Sequence, residues 1–390
     1  MSEATHERVG LVTIAREWAR IGCIGFGGPP AHIALLRKLC VEQHAWLSPS
    51  EFEDGIAAVN LLPGPASTQL AIYCAWRLRG TQGALLGGVC FIVPGLLIIL
   101  ALAALFLAAH TPLLIHGAAA GAGAAVAAAA LQAAASLLPA SWRRAAGPPA
   151  RRRWLVYLTL GAAAAAVVGP YLVLVLAVCG LVEIGTQVRG RRSVTGGTFA
   201  IAALRPLALV AVGGLAALAW VAFKVGALSY GGGFVIIPLM QHDAVHTYHW
   251  MSSAQFLDAV ALGQITPGPV VQTVAVVGYA AAGLGGGLLA AVIAFAPSFV
   301  FVISGGPHFD RLRRNASAQA FLSGAGAAAI GAIAGAALPL ALALTQLWQL
   351  AVLVLAAIWL LALHRGVVAA LLGAGLLGVV AALAGLPIPR

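Results

Sequence analysis

The sequence predicts an all-α integral membrane protein made of two homologous halves that form an inverted-topology repeat. Three observations support this fold class. Of the 390 residues, 61% are hydrophobic and only 8% are charged, whereas soluble domains are about a quarter charged. Uncharged stretches long enough to cross a bilayer recur along the chain. The two halves also match each other at a constant spacing, and their homologous loops carry opposite charge bias.

Apolar stretches without charged residues follow one another through most of the chain. A membrane helix needs about 20 such residues. Breaks at Gly169-Pro170, 283–287 and Thr345-Gln346 divide three of the stretches into pairs of helices. The amphipathic segment 10–25 is typical of an interfacial helix. Together with this segment, the stretches predict about nine to eleven crossings. They cover residues 83–109, 111–142, 154–182, 206–223, 259–307, 315–363 and 366–389.

Basic residues are concentrated in short loops, and the formal net charge is +11. In a membrane protein such clusters indicate topology rather than a nucleic-acid partner. Placing every cluster in the cytoplasm gives a consistent alternation along the chain, so we expect a multi-pass protein of the cell inner (cytoplasmic) membrane in contact with the lipid bilayer. The clusters are Arg77/Arg79, 143–153, 189–205, 311–314 and His364-Arg365.

An internal repeat relates the two halves. Pairing each residue with the one 204 positions later gives 14 identities between residues 20–69 and 224–273. After one deletion the match continues, for example at Pro94 and Pro297. Such self-similarity over this length indicates a duplicated unit.

Homologous loops of the two halves differ in charge. Loop 77–80 is basic and its counterpart 281–284 is neutral, whereas loop 110–116 is neutral and its counterpart ends in the basic run 311–314. Opposite charge bias implies opposite orientation, which is the arrangement of many secondary transporters. We expect a first transmembrane repeat over 1–186, a basic cytoplasmic linker over 187–205 and a second repeat over 206–390.

Each half opens with a cation that precedes a glycine-rich break. Backbone N–H groups in a glycine run can converge on an anion, and a helix N-terminus adds partial positive charge. The alternative interpretation is a purely structural tight turn, with the cation extending to the membrane–water interface. The presence of both features in both halves favours an anion site. The residues are Arg20, Gly27 and Gly28 in the first half, and Lys224, Gly231, Gly232 and Gly233 in the second.

A helix-start signal follows each glycine segment. The spacing Ser-x-x-Glu at 48–51 and Ser-x-x-Gln at 252–255 fits a capping box. Asp54 and Asp258 would then lie in the first helical turn, where an acid suits the helix dipole. The capping interpretation is favoured, and both residues are kept as candidate proton carriers, with Glu183 as a third.

The helix that starts there is soon interrupted by a Pro-Gly-Pro block in each half. Two prolines around a glycine remove N–H donors and break the helix. In lipid, the freed carbonyls must be buried in protein or line a cavity. Broken helices at matching positions are the best sequence indication of a substrate site in a transporter. The candidate residues are Asn60, Pro63, Gly64, Pro65, Thr68 and Gln69, then Gln264, Thr266, Pro267, Gly268, Pro269, Gln272 and Thr273.

Metal and cofactor chemistry is not indicated. His242 and His246 have helical i, i+4 spacing, but an extracytoplasmic polar loop is the favoured interpretation. The five cysteines form no Cys-x-x-Cys pair. No HExxH or GxSxG motif is present, so a membrane-embedded enzyme is disfavoured. We therefore expect no metal and no cofactor.

The Phe/Tyr-Gly-Gly segments, the Trp-x-Ser caps and the duplicated Pro-Gly-Pro blocks together resemble the chromate ion transporter family, and in particular its long, two-domain members. The resemblance covers roughly residues 10–345. It implies export of chromate from the cytoplasm, which would give chromate resistance, with sulfate as an analogue. It also assigns the glycine and Pro-Gly-Pro residues of both halves to the family's motifs.

The residue chemistry agrees with an oxyanion substrate, because glycine N–H groups, half-helix N-termini, hydroxyls and amides supply many donors. A permease or importer of sulfate or another inorganic anion is the alternative. A channel is less favoured, since inverted repeats indicate alternating access. A homodimer is one assembly left open by the sequence.

Overall fold

The structure is a computed structural model that describes residues 9–60, 62–108, 112–168, 172–191, 214–229, 234–309 and 315–389. Within these ranges the chain forms helices and no strand. The helices of the first half are α1 (Leu11–Ile24), α2 (Pro29–Arg37), α3 (Pro49–Val59), α4 (Ala66–Phe106), α5 (Leu113–Ala124), α6 (Val126–Arg144), α7 (Pro148–Ala163) and α8 (Leu172–Arg191). Those of the second half are α9 (Leu215–Leu228), α10 (Ile237–Gln241), α11 (Ser253–Ile265), α12 (Thr273–Gly305), α13 (Ala316–Leu342), α14 (Leu347–Ala357) and α15 (Val367–Leu383).

Both halves build the same elements in the same order. Helices α1 and α9 begin and end 204 residues apart, and so do two π-helical turns, Lys38–Gln43 and His242–Thr247. The predicted capping boxes are present at Ser48 and Ser252, where each side chain accepts a bond from the backbone three residues on. The duplication seen in the sequence is therefore also a duplication of structure.

Helices α4 and α12 are hairpins rather than straight rods. Arg79 and Gly80 leave helical geometry, and Gly80 has φ +59° and ψ −147°. After this turn, a methyl group placed on Gly83 would lie 2.2 Å from the carbonyl oxygen of Ala75. The two residues would be a full two turns apart in one straight helix, so residues 66–78 and 81–106 run antiparallel. We call them the short and long limbs of α4.

The same turn occurs in α12, at Ala282 and Gly283, with φ +63° at the glycine. A methyl group on Gly286 would lie 2.3 Å from the carbonyl oxygen of Gly278. The short and long limbs of α12 are residues 273–281 and 284–305. These turns confirm the break that the sequence predicts near 283–287.

The long limbs of α4 and α12 pack against each other at the centre of the molecule. A methyl group on Gly88 would lie 2.4 Å from Cε1 of Phe299, and one on Gly287 would lie 2.5 Å from Cδ2 of Leu100. Residue numbers therefore increase along one limb in the direction in which they decrease along the other. The two equivalent helices are antiparallel.

The last helices of each half pack on the other half. In α5, a methyl group on Gly117 would lie 2.6 Å from the carbonyl oxygen of Gly378 in α15. In α13, one on Gly331 would lie 1.8 Å from the carbonyl oxygen of Leu158 in α7. Only glycine permits backbones this close. The Gly117-xxx-Gly121 and Gly331-xxx-Gly335 pairs thus pack helices.

Four stretches of helix in the described residues are long and apolar enough to cross a membrane, by length and composition: 66–106, 113–144, 270–305 and 316–342. The second of these is divided at Ala125 into α5 and α6. Shorter apolar helices cover 172–186, 215–228, 347–362 and 367–383. The protein is an all-α membrane protein of two halves, and the number of crossings stays a prediction.

Candidate functional site

The first Pro-Gly-Pro block forms the tip of a helical hairpin. Helix α3 ends at Val59, the short limb of α4 starts at Ala66, and Gly64 between them has φ +125°. Beyond the tip, a methyl group on Gly55 would lie 2.4 Å from the ring of Tyr73. The two helices therefore lie side by side.

An ion pair between Glu51 and Arg77 joins the outer ends of this hairpin. The two ends thus lie together, and Pro63-Gly64-Pro65 lies at the opposite end of the hairpin. Gln69, one turn into the α4 short limb, donates from Nε2 to the carbonyl oxygen of Pro63 at 2.7 Å. The freed carbonyl of the break is satisfied in this way, as a membrane environment requires.

The second block is buried and is held by the first half. Gly268, with φ +99°, donates its N–H to the carbonyl oxygen of Gly25 at 2.9 Å. Gln272 donates from Nε2 to the carbonyl oxygen of Ile92 at 2.8 Å. A methyl group on Gly95 would lie 2.1 Å from the carbonyl oxygen of Pro267. The second break is thus built against the glycine segment and the long limb of the first half.

Exposure distinguishes the two breaks. In the first, Asn60 and Pro63 are exposed, whereas Gly64 and Pro65 are buried. In the second, every residue from Thr266 to Thr273 is buried. The two halves therefore present equivalent segments in non-equivalent surroundings.

Buried polar atoms without a hydrogen-bond partner lie at these breaks and at positions equivalent to residues that contact them. Native proteins leave few such atoms, and each needs a physical explanation such as a ligand or an ion. Thr68 and Gln69 follow the first break, whereas Gln264 and Gln272 flank the second. Ser229 is the counterpart of Gly25, and Ser298 is the counterpart of Gly95. In the described residues the unpartnered atoms are Thr68 Oγ1, Gln69 Oε1, Gln264 Nε2, Gln272 Oε1, Ser229 Oγ, Ser298 Oγ and His32 Nδ1.

The two predicted threonines at the second break use their hydroxyl protons locally. Thr266 donates to the carbonyl oxygen of Leu262, and Thr273 donates to that of Val270, both at 2.8 Å. Their oxygens can still accept a bond, but their donors are occupied. Donors for an anion at this break therefore come from other groups.

The predicted glycine and cation residues have different surroundings in the two halves. Gly27 and Gly28 both have positive φ, at +98° and +73°; Gly231, Gly232 and Gly233 lie outside the described residues. Arg20 is 62% exposed and lies 3.5 Å from Glu17 on the same helix. Lys224 is only 17% exposed, and its Nζ lies 2.5 Å from Oδ2 of Asp243. Asp243 neutralises Lys224 within the protein.

Comparison with known proteins identifies the family. The family model described as "Chromate transporter" matches residues 12–184 and 216–379. The chain belongs to the chromate transporter family. A "Chromate transport protein" of Cupriavidus metallidurans is 34% identical over 330 residues, 83% of this chain and 80% of the relative.

Two further relatives have similar names. A "Probable chromate transport protein" of Synechococcus elongatus is 29% identical over 85% of this chain and 84% of its own length. A "Chromate transport protein" of Pseudomonas aeruginosa is 28% identical over 87% and 83%. No solved structure matches the chain. This chromate transporter family member is therefore a membrane transport protein and not an enzyme.

The predicted proton carriers of this transporter-family chain are placed apart from one another. Asp54 and Asp258 are each the sixth residue of their helix, so they lie in the second turn rather than the first. Asp54 is exposed, whereas Asp258 is partly buried against Gly123 of α5. Glu183 accepts two bonds from Arg153 at 2.9 Å and one from Tyr157, so it is part of an ion pair.

One titratable residue at the site was not found by sequence reasoning. His32 on α2 is fully buried, and its Nε2 lies 2.8 Å from the carbonyl oxygen of Gly25. This is the same carbonyl that accepts from Gly268. Its position four residues after Gly28, at the start of a helix, is the only local signal.

The histidine pair at 242 and 246 forms no larger cluster. The two rings are 5.9 Å apart. No group of three or more metal-ligating side chains is found in the part of the chain that the structure describes.

Proposed function

We propose that the protein exports chromate across the inner (cytoplasmic) membrane by alternating access, with sulfate as a competing analogue. The observation that carries the proposal is the set of buried, unpartnered polar atoms at the two breaks. A tetrahedral dianion is a ligand that such atoms would suit, since it accepts several hydrogen bonds at once.

The donors available at the breaks are neutral. Gln264 offers an unpartnered amide N–H₂, and the hydroxyls of Ser229, Ser298 and Thr68 can each donate. The α4 short limb starts at the first break, so its first N–H groups have no partner within the helix. Neutral donors in a buried site bind an anion without the competing pull of a fixed ion pair.

Alternating access is supported by the relation between the halves. The breaks occupy equivalent positions, yet one is partly exposed and the other is buried. The equivalent long limbs are antiparallel, which is the relation that an inverted repeat would give. In such an arrangement, exchange of the two surroundings would expose the site on the opposite side.

The charge of the substrate supports the proposed direction of transport. An inside-negative potential favours outward movement of a dianion by about 4.6 kcal/mol per 100 mV for two charges. Export therefore needs no further energy source at ordinary potentials. Inside-out vesicles that hold the protein should accumulate chromate when the potential is positive inside, and excess sulfate should reduce the uptake. Accumulation only under the opposite potential would indicate import instead.

A matched pair of serine substitutions tests the site. Ser298→Ala removes an unpartnered buried hydroxyl, so it should lower chromate affinity at least about tenfold while stability stays within about 1 kcal/mol. Ser141, which is also buried, accepts from Trp154 Nε1 at 2.9 Å. Ser141→Ala should cost about 1–3 kcal/mol of stability and leave chromate affinity unchanged.

Chromate affinity is measured on purified protein by titration calorimetry, and stability by thermal unfolding in detergent. Equal chromate affinity in the wild type and Ser298→Ala would show that the anion does not use this hydroxyl. A loss of affinity in Ser141→Ala as large as that in Ser298→Ala would show that the effect is not specific to the breaks.

A further inference from the structure

His32 is placed where an anion at the second break would influence it. Its Nε2 and the N–H of Gly268 share one acceptor, the carbonyl oxygen of Gly25, at 2.8 and 2.9 Å. The ring is therefore linked through this carbonyl to the Pro-Gly-Pro block of the other half. It packs edge-on against Phe91 of the α4 long limb, with 5.1 Å between the ring centroids.

The hydrogen bond to Gly25 defines the tautomer of the neutral ring. A carbonyl oxygen only accepts, so Nε2 must carry a hydrogen and donate it to Gly25. In the neutral ring the other nitrogen, Nδ1, is then an acceptor. Nδ1 is buried and has no partner among the described residues. The ring thus keeps one vacant site for a proton.

Among the described residues, the carboxylates on the elements around the ring are paired with other cations. On α1, Glu17 is paired with Arg16 and Arg20. On α2, Arg37 is paired with Glu53 and with Glu42 of the following π-helical turn. The long limb of α4 (81–106) and the second break (264–273) contain no charged residue. A bound dianion would supply the missing negative charge.

We propose that His32 takes up one proton at Nδ1 when the dianion binds, and releases it when the dianion leaves. The proton comes from water on the side that is open and returns to water on release, while the Nε2–H bond to Gly25 stays in place. An opposite charge nearby favours the protonated ring, and the protonated ring donates a stronger bond to Gly25. This inference rests on the proposed function, because it needs an oxyanion at the break.

The second half has no equivalent group. Its residue at this position is Ile236, which cannot titrate. The proposal therefore predicts uptake of one proton per bound anion, by His32, and none at the equivalent residue of the second half. Transport would then carry a net charge of one rather than two.

Calorimetry of chromate binding in buffers of different ionisation enthalpy tests the proposal. At about pH 8, where free chromate is the dianion, the wild type should take up about one proton per anion, and affinity should rise up to about tenfold for each unit of pH decrease. His32→Gln keeps a donor for Gly25 but cannot titrate, so it should bind chromate with no proton uptake and a flat pH profile. His44→Gln, on an exposed ring that stacks on Trp46, is the matched control and should behave as wild type.

A second measurement does not depend on folding of the variant. In wild-type protein labelled with ¹⁵N-histidine, the His32 signals should change from a neutral Nε2–H ring to a doubly protonated ring when chromate is added. Equal proton uptake in the wild type and His32→Gln, or a ring that stays neutral with chromate bound, would overturn the proposal for His32 alone. Absence of any chromate binding by the wild type would overturn the proposed function, and this inference with it.

Discussion

Side chains of similar chemistry at the two breaks differ in whether their donors are already occupied. Thr266 and Thr273 donate to carbonyls of the local backbone, whereas Ser298 and Thr68 have no partner in the described residues. Residue type therefore predicted the polar character of the site but not which groups remain available. That depends on contacts between distant segments, such as the bond from Gln272 to Ile92.

The partly buried cation Lys224 likewise could not be interpreted from local sequence alone. Lys224 was expected to attract the substrate, and its position in apolar sequence supports a functional role. Its partner Asp243 is 19 residues away on another element, and the residue that corresponds to Asp243 in the first half is Leu39. The pairing could not be inferred from the repeat, because the first half lacks it.

Substitution of Lys224 should mainly expose the cost of an unpaired Asp243. Lys224→Met leaves a carboxylate that is only 7% exposed, so we expect a loss of about 3 kcal/mol of stability. The double variant Lys224→Met/Asp243→Asn should recover most of this loss and should bind chromate within about threefold of wild type.

Arg20→Gln is the comparison for the Lys224 variants, because Arg20 is a mostly exposed residue. Exposed pairs contribute about 0–1 kcal/mol, so this change should hardly affect unfolding. Thermal unfolding and chromate titration of all three variants check these expectations. A double variant that is stable but no longer binds chromate would show that the Lys224 charge itself attracts the anion.

The sequence predicted where helices start and break better than it predicted the direction of the chain after each break. Capping boxes and Pro-Gly-Pro breaks are local signals, and they appear at the expected residues. The reversal of the chain at the first break is a property of packing between α3 and the short limb of α4. It is stabilised by the Gly55–Tyr73 contact and the Glu51–Arg77 pair, which join residues 18 and 26 positions apart.

The turn within α4 should depend on glycine at residue 80. Its φ of +59° with ψ of −147° is a conformation that side chains rarely adopt, although a methyl group there would meet no atom within 4 Å. Gly80→Ala should therefore cost about 1–3 kcal/mol through backbone strain alone. Gly185→Ala is the matched control, since Gly185 lies inside helix α8 with equally open space.

Alanine at 185 should stabilise the helix by up to about 1 kcal/mol. Thermal unfolding of both variants, measured side by side, separates strain from crowding. If the two substitutions shift the unfolding temperature in the same direction and by the same amount, residues 66–106 do not turn at Gly80.

At the level of the whole molecule, the two halves are interlocked rather than side by side. Their equivalent long limbs are antiparallel at the centre, and the last helices of each half pack on the other through glycine. The sequence predicted the duplication because it preserves identities at a fixed spacing. It did not predict the exchange of terminal helices, since the glycines that permit it specify close packing but not the partner.

The relation between the halves makes a prediction about sidedness. Thr81 and Leu284 are equivalent residues at the start of the two long limbs, and both are exposed. Because the limbs are antiparallel, these residues should lie on opposite sides of the membrane, with Thr81 beside the basic loop in the cytoplasm. They are preferable to the turn glycines for labelling, since cysteine at Gly80 would strain the backbone.

In a variant without the five native cysteines, Thr81→Cys should react with an impermeant thiol reagent only in inside-out vesicles. Leu284→Cys should react only in right-side-out cells or spheroplasts. A variant with both cysteines should need both preparations for full labelling, which controls for poor reactivity at either residue. Reaction of both residues from the same side would require a parallel repeat, and the two breaks could then not exchange surroundings about an axis in the membrane plane.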